Sequence, residues 1–142
     1  MTETQPRRLF VSYARADARK VHLLVRLVRA TGAPVFLDTD SIPAGAKWRE
    51  ALAEALANAE AVVVFWSRSA AKSAEVAAEY SEGIRLAKTI IPVCLDDEPL
   101  SHQLGQYQAL GLQELFVPHD SSFDGRKLLE QLVSRLLLTD EQ

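Results

Sequence analysis

Residues 61–66 read Ala-Val-Val-Val-Phe-Trp, a continuous run of small, β-branched and aromatic side chains with no polar interruption. Such a run is typical of a strand that is buried on both faces, as in a parallel sheet covered by helices. The segment that follows, residues 67–85, then emerges at the carboxyl edge of the sheet, where open α/β folds build their sites. Glu79 borders the apolar side of this segment and is the main candidate for a functional residue.

Strand and helix patterns alternate along the rest of the chain, which predicts an α/β fold with a parallel sheet. The predicted strands are residues 9–12, 35–37, 61–66, 90–95 and 115–117. The predicted helices are residues 17–30, 47–58, 73–87 and 125–138, and residues 96–111 are expected to be irregular. Trp48 opens the apolar stripe of the second helix and is expected in the core. The loops that follow the strands meet at one edge, so the chemistry is expected there.

Length and charge narrow the class of protein. The chain has 142 residues and a formal charge of -3, which predicts one domain over residues 1–142 with a core of about 8–138 and argues against direct nucleic-acid binding. No apolar run approaches the roughly 20 residues that span a bilayer, and nothing resembles a signal peptide. We therefore expect a cytoplasmic protein that does not bind membranes. Cys94 is the single cysteine and is expected to pack as a small buried hydrophobe.

The loops lack the residues that several common α/β functions require. Residues 12–16, after the first strand, contain no glycine that would let backbone amides approach a phosphate. The third strand does not end in the aspartate of a phosphoacceptor domain. No metal site is expected, because the three histidines lack ligand spacing and companion cysteines. No G-x-S-x-G elbow is present either, which argues against an α/β-hydrolase.

Four short motifs occur in order along the chain. They are Phe10-Val11-Ser12-Tyr13 with Asp17, then Phe36-Leu37-Asp38 with Pro43-Ala44-Gly45 and Trp48, then Ser67, Ser73 and Glu79, and finally Ile91-Pro92-Val93. In this order and spacing they resemble the signatures of Toll/interleukin-1 receptor (TIR) domains. The resemblance implies a flavodoxin-like three-layer sandwich, with a five-stranded parallel sheet in the order 2-1-3-4-5 and helices on both faces.

For many bacterial and plant members of that family, the resemblance also implies cleavage of NAD at the nicotinamide–ribose bond. Departure of nicotinamide leaves positive charge on the ribose, which a fixed anion stabilises, much as in glycosidases. Because nicotinamide departs as a neutral molecule, no general acid is required and one carboxylate suffices. By its place after Ser73, the family's catalytic glutamate corresponds to Glu79. NAD is then a substrate, and no permanently bound cofactor is expected.

Helical geometry separately favours Glu79 over its neighbours. At about 100° per residue, Glu79 lies roughly 90° from the centre of the apolar face, whereas Glu75 and Glu82 lie about 130° to 150° from it. The alternative is an ordinary helix with three solvated glutamates.

Further substrate-binding candidates follow the strands or begin the next helix: Tyr13, Arg15, Asp38, Trp66 and Ser73. An aromatic face such as Tyr13 can stack on a ring, and the Arg15 guanidinium can pair with a diphosphate. Asp38 can hydrogen-bond ribose hydroxyls or simply anchor its turn. Many active members of the family carry Trp four residues before the catalytic glutamate, where this chain has Glu75. The aromatic wall is then either absent or supplied by Trp66 or Tyr13.

Self-association is the other property that the resemblance implies. TIR domains commonly associate through the BB loop, which here comprises Asp40, Ser41, Ile42, Pro43, Ala44 and Gly45. Exposed apolar residues on such a turn suit a contact surface. The expected partners are other TIR domains, in a homo-oligomer or filament, and a fused or separate sensor domain.

The sequence therefore favours a TIR-type NAD glycohydrolase or cyclase, which releases nicotinamide together with ADP-ribose or cyclic ADP-ribose. Activation by self-association in bacterial immune signalling is expected. The first alternative is a non-catalytic TIR adaptor that acts through TIR–TIR contact, and the second is a flavin-binding redox protein of flavodoxin type.

Overall fold

The computed structural model describes residues 8–30, 32–37, 45 and 47–111. Its strands are β1 (Leu9–Ser12), β2 (Val35–Phe36), β3 (Ala61–Trp66), β4 (Thr89–Cys94) and β5 (Leu110–Gly111). All five are parallel and form one sheet in the order β2-β1-β3-β4-β5. This is the strand order that the resemblance to TIR domains implies.

Four helices and two 3-10 turns connect these strands in the described residues. The helices are α1 (Ala18–Arg29), α2 (Trp48–Asn58), α3 (Arg68–Ala71) and α4 (Ala74–Arg85), and the 3-10 turns are Arg15–Asp17 and Leu104–Gln106. A serine caps the start of α3 and another caps the start of α4. The Ser67 hydroxyl accepts the N–H of Ala70 at 3.0 Å, and the Ser73 hydroxyl accepts that of Val76 at 3.1 Å. Each cap pairs a helix N–H that has no partner within its helix, so α4 begins at a defined residue.

β3 is the centre of the core, and its residues are at most 3% exposed. Its side chains alternate between two apolar layers. Val63 and Phe65 pack in the layer that includes α1, whereas Val62, Val64 and Trp66 pack in the layer that includes α2 and α4. Helices therefore cover both faces, as the uninterrupted apolar run predicts.

Helix α4 lies unusually close to the sheet. It buries Val76, Tyr80 and Gly83. A Cβ atom built on Gly83 would lie 2.9 Å from Cγ2 of Val62 and 3.2 Å from Cδ1 of Ile90. The missing side chain thus permits α4 to approach β3 and β4 closely.

The expectation that Trp48 belongs to the core is wrong, because its side chain is 42% exposed. Helix α2 packs against the sheet through its second half, where Leu56 is buried and Leu52 and Ala55 are partly buried. Trp48 is the first residue of the helix and lies outside that packed region.

Residues 110–111 also differ from the sequence expectation. β5 lies at Leu110–Gly111, within the segment expected to be irregular, and pairs with Val93 and Cys94 of β4. A strand of two residues is too short to show periodicity, which is why the sequence did not indicate it. Residues 115–117 and 125–138, where the last strand and helix were predicted, lie outside the described residues. Among the described helices, none has the length and apolar character needed to cross a bilayer.

Candidate carboxylate site

Two buried serines mark the carboxyl edge of the sheet. Ser12 ends β1 and is 0% exposed, and Ser67 follows β3 and is 2% exposed. They are the buried polar residues of the described part of the chain, and each hydroxyl donates to a carboxylate. Burial of a hydroxyl without a partner is unfavourable, so these two contacts are expected to be persistent.

Ser12 reaches the predicted catalytic residue. Its Oγ donates to Oε1 of Glu79 at 2.7 Å, across 67 residues of sequence. That distance is in the range of O–H to carboxylate hydrogen bonds in which the acceptor is ionised. Along β1, Ser12 alternates with Val11 and points to the same face as Phe10, which is the face that α4 covers. The sheet register therefore places the hydroxyl beneath the carboxylate.

A second hydrogen bond also links the end of β1 to the end of β3, and here the donor follows β3 and the acceptor follows β1. The Ser67 hydroxyl donates to Oδ2 of Asp17 at 2.5 Å, across 50 residues. Asp17 closes the 3-10 turn that follows β1. The end of β1 thus holds the carboxylate after β3, and the end of β3 holds the carboxylate after β1.

The three glutamates of α4 have different surroundings. Glu75 is exposed, whereas Glu79 is half-buried against the sheet. Glu82 pairs with Arg85, whose Nε donates to Oε1 at 2.9 Å, and this hydrogen bond lowers the pKa of the Glu82 carboxyl. The difference in exposure between Glu75 and Glu79 agrees with the helical geometry of the sequence.

Trp66 is buried at the carboxyl edge of the sheet rather than exposed there. Its side chain is 3% exposed, and its indole N–H donates to the carbonyl oxygen of Pro99 at 2.9 Å. Its ring meets the ring of Tyr80 edge-on, with centroids 6.2 Å apart. In this conformation Trp66 supports α4 and does not present a ring to a ligand.

The other predicted contact residues lie around the same edge. Tyr13 is half-buried, with its hydroxyl 3.4 Å from Nε2 of His22 and the two rings edge-on at 5.9 Å. Arg15 is exposed at the start of the first 3-10 turn. Ser73 caps α4 through its hydroxyl, which gives it a structural role. Tyr13 and Arg15 therefore remain the candidates for ligand contact among these three.

Most of the predicted BB loop lies outside the described residues, namely Asp40, Ser41, Ile42, Pro43 and Ala44, and so does Asp38. Gly45 is described, in an exposed turn with φ of 88°. This left-handed conformation favours glycine, because a Cβ atom is strained there.

Cys94 ends β4 and is partly buried rather than fully buried as expected, since the last residue of the strand is less covered than its centre. Burial, followed by the nearby charge of Asp96, raises the pKa of its thiol. The Asp96 carboxylate also accepts the backbone N–H groups of Arg68 and Glu98, both at 3.0 Å. Over residues 8–30, 32–37 and 47–111, no group of three His, Cys, Asp or Glu side chains is arranged to hold a metal ion.

Two surface cavities lie away from the carboxyl edge. One, of about 340 Å³, is at the amino edge of the sheet and is lined by Arg8, Leu9, Pro34, Val35, Phe36, Ala55, Asn58 and Ala59. The other, of about 510 Å³, lies on α1 and is lined by Arg19, Lys20, His22, Leu23 and Arg26. Neither of these two cavities is lined by Glu79.

Sequence reasoning missed the contacts of Ser12 and Asp17, although both residues belong to the first motif. The available signal was a serine at the last position of an otherwise apolar strand, directed to the edge where sites form. Its acceptor was not evident, because helix α4 is remote in sequence and only the strand order brings it close.

Solved structures resemble this fold at low sequence identity. The TIR domain of the Toll-related receptor TRR-2 of Hydra magnipapillata superposes with a TM-score of 0.72, at 18% identity over 89% of this chain and 94% of that one. The TIR domains of the activated Roq1 resistosome, which recognises the effector XopQ, give 0.75 at 16% identity over 92% and 99%. A 2-deoxyribosyltransferase of Bacillus psychrosaccharolyticus gives 0.61 at 12% identity over 81% and 93%.

No curated protein matches the chain in sequence. The sequence model of the TIR domain family, however, matches residues 9–133, which extend from the start of β1 beyond β5. Sequence match, strand order and structural neighbours agree, and the chain belongs to the TIR domain family.

Proposed function

We propose that this TIR domain cleaves NAD at the nicotinamide–ribose bond, with Glu79 as the catalytic carboxylate. The observation that carries the proposal is the position of Glu79, half-buried at the carboxyl edge with Oε1 held 2.7 Å from the Ser12 hydroxyl. An anion fixed before the reaction stabilises developing positive charge without reorganisation during the reaction.

The chemistry needs one bond to break and one to form. The bond between C1′ of the ribose and the ring nitrogen of nicotinamide breaks, and its electron pair leaves with nicotinamide, whose ring becomes neutral. The ribose then carries positive charge, which the Glu79 carboxylate stabilises. In the glycohydrolase reaction, water attacks C1′ and releases one proton to give ADP-ribose. In the cyclase reaction, a nucleophilic group of the same ADP-ribosyl unit attacks C1′ and one proton is released, which gives cyclic ADP-ribose.

The fold offers indirect support for this chemistry. A 2-deoxyribosyltransferase shares the architecture, so a scaffold of this type is compatible with transfer of a sugar between bases. Tyr13 and Arg15, close to the end of β1, are the residues that we propose contact the nucleotide. An aromatic ring can stack on a base, and a guanidinium can pair with the diphosphate.

We further propose that self-association with other TIR domains activates the domain, in a homo-oligomer or filament. The Roq1 resistosome, in which TIR domains are part of an activated assembly, supports this proposal. The setting that we propose is cytoplasmic immune signalling in a bacterium, with a fused or separate sensor domain as the trigger.

The test compares wild-type protein with Glu79→Gln, each concentrated and incubated with NAD in the presence and absence of a crowding agent. Chromatography of nicotinamide, ADP-ribose and cyclic ADP-ribose measures turnover. Loss of a fixed charge-stabilising group is expected to lower kcat by roughly 100-fold to 1,000-fold. The matched control is Glu75→Gln, an exposed glutamate one turn away on the same helix, which is expected to retain wild-type turnover. Equal turnover by wild type and Glu79→Gln would refute the catalytic role.

One observation favours a non-catalytic adaptor as the second candidate. Many active TIR domains carry Trp where this chain has Glu75, and Trp66 is buried rather than exposed as a substitute wall. An adaptor would release no nicotinamide at any concentration and would still associate with TIR domains. Light scattering across a concentration series measures that association independently of turnover.

A further inference from the structure

We propose that Ser12 is the positioning residue of the Glu79 carboxylate, an inference that rests on the proposed NAD cleavage. Ser12 itself is 0% exposed and therefore does not touch a substrate. Its hydroxyl instead donates to Oε1 of Glu79 at 2.7 Å. Any effect of Ser12 on the reaction passes through that hydrogen bond.

The donor is neutral, and this is chemically important. A hydroxyl fixes the orientation of a carboxylate and favours its ionised form, but it leaves the negative charge in place. A guanidinium partner, such as Arg85 on Glu82, would largely cancel the charge that an oxocarbenium ion requires. Ser12 therefore orients Glu79 without neutralising it.

The Ser12 side of this hydrogen bond is held in place by the sheet. Ser12 is the last residue of β1 and is opposite Val64 of β3 in the parallel register. Both residues are fully buried. The Ser73 cap and the close packing at Gly83 fix α4 from the other side. Groups that reach productive geometry through such supports need little rearrangement during the reaction.

Helix α4 packs against β1, β3 and β4. The contribution of β1 to the Glu79 carboxylate is the Ser12 hydroxyl, which donates to Oε1.

The test is Ser12→Ala in the full chain, assayed for nicotinamide release across a range of NAD concentrations. We expect kcat to fall by about 10-fold to 100-fold, the size typical of hydrogen bonds that support a reactive group, with KM changed less than about threefold. Ser12→Thr keeps the hydroxyl and is expected to restore most of kcat.

The matched control is Ser67→Ala, which removes the other buried serine and its hydrogen bond to a carboxylate. We expect it to lower thermal stability about as much as Ser12→Ala but to leave kcat within about threefold of wild type, because its acceptor is Asp17. If Ser12→Ala does not fold, Ser12→Cys takes its place, since a thiol has nearly the same size and is only a weak donor.

The outcomes separate this proposal from the proposed function. Wild-type protein that releases no nicotinamide, even when crowded, overturns both. An active wild type with Ser12→Ala no slower than Ser67→Ala overturns the positioning role alone. A rise in KM at constant kcat does the same, because it indicates that Ser12 acts on substrate binding.

Discussion

Replacing Gly83 by alanine tests how closely α4 lies on the sheet. The added Cβ atom would lie 2.9 Å from Cγ2 of Val62 and 3.2 Å from Cδ1 of Ile90, well inside normal contact. Val62 is fully buried in the central strand and β-branched, so it has no flexible end that could move aside. Forcing a methyl group into such a core costs about 2–3 kcal/mol, at the upper part of the usual range.

Helix propensity acts in the opposite direction. Alanine is favoured over glycine inside a helix by about 1 kcal/mol. The net expectation for Gly83→Ala is therefore a loss of about 1–2 kcal/mol in the free energy of unfolding, which lowers Tm by roughly 3–6 °C. Urea unfolding followed by circular dichroism measures the change. Because Glu79 lies one turn before Gly83, displacement of α4 is also expected to slow nicotinamide release.

Two further variants separate the packing and propensity terms. Ala78→Gly, at an exposed position of the same helix, isolates the propensity cost of about 1 kcal/mol. Val62→Ala removes the methyl group that the new Cβ atom would meet, so Gly83→Ala is expected to be less harmful in that background, by at least about 0.5 kcal/mol. Stabilisation by Gly83→Ala, or strict additivity with Val62→Ala, would show that α4 does not approach the sheet so closely.

Three other predictions follow from single positions. Ala87 is exposed with φ of 60°, so Ala87→Gly is expected to stabilise the fold by about 1 kcal/mol in urea unfolding, and destabilisation would contradict that backbone conformation. Burial raises the pKa of the Cys94 thiol, so iodoacetamide should react with it more slowly than with a free cysteine. Between the two pKa values, the folded protein retains a proton that the unfolded chain loses. The contribution of this thiol to stability is therefore present below about pH 8.5 and declines as pH rises further, and a stability that increases above that pH would contradict the shift. Trp48→Ala should cost less than about 1 kcal/mol and Trp66→Ala about 3–5 kcal/mol, and similar losses of Tm would contradict their different burial.

The sheet could be predicted well from the sequence because its centre is strongly patterned. The run of residues 61–66 is apolar at every position, which matches a strand buried on both faces. The inward residues of α1 also match the predicted helical spacing, and all of them are buried: Val21, Leu24, Val25 and Val28. Burial of a whole stripe or run imposes a period, and a period can be recognised without the structure.

Features that depend on one or two residues were not predictable in the same way. β5 has two residues, and Trp48 is on the apolar stripe of a helix whose first turn does not reach the core. The starts of α3 and α4 are set by the Ser67 and Ser73 caps, which hydrophobic spacing does not reveal. In each case a local end effect, rather than a repeated pattern, decides the structure.

The candidate site likewise combines one residue that the sequence pattern indicates with one that only the strand order brings close. Glu79 was recognisable from its helix face, but its partner Ser12 is 67 residues away and becomes a neighbour only through the order β2-β1-β3. Parallel strands require long crossovers, so residues that share an edge come from distant parts of the chain. The pairs Ser12–Glu79 and Ser67–Asp17 join the first and third motifs twice, each time through a buried hydroxyl. Motifs that the sequence shows as separate signatures are thus halves of one hydrogen-bonded edge, and a change in either half is expected to act on the carboxylate of the other.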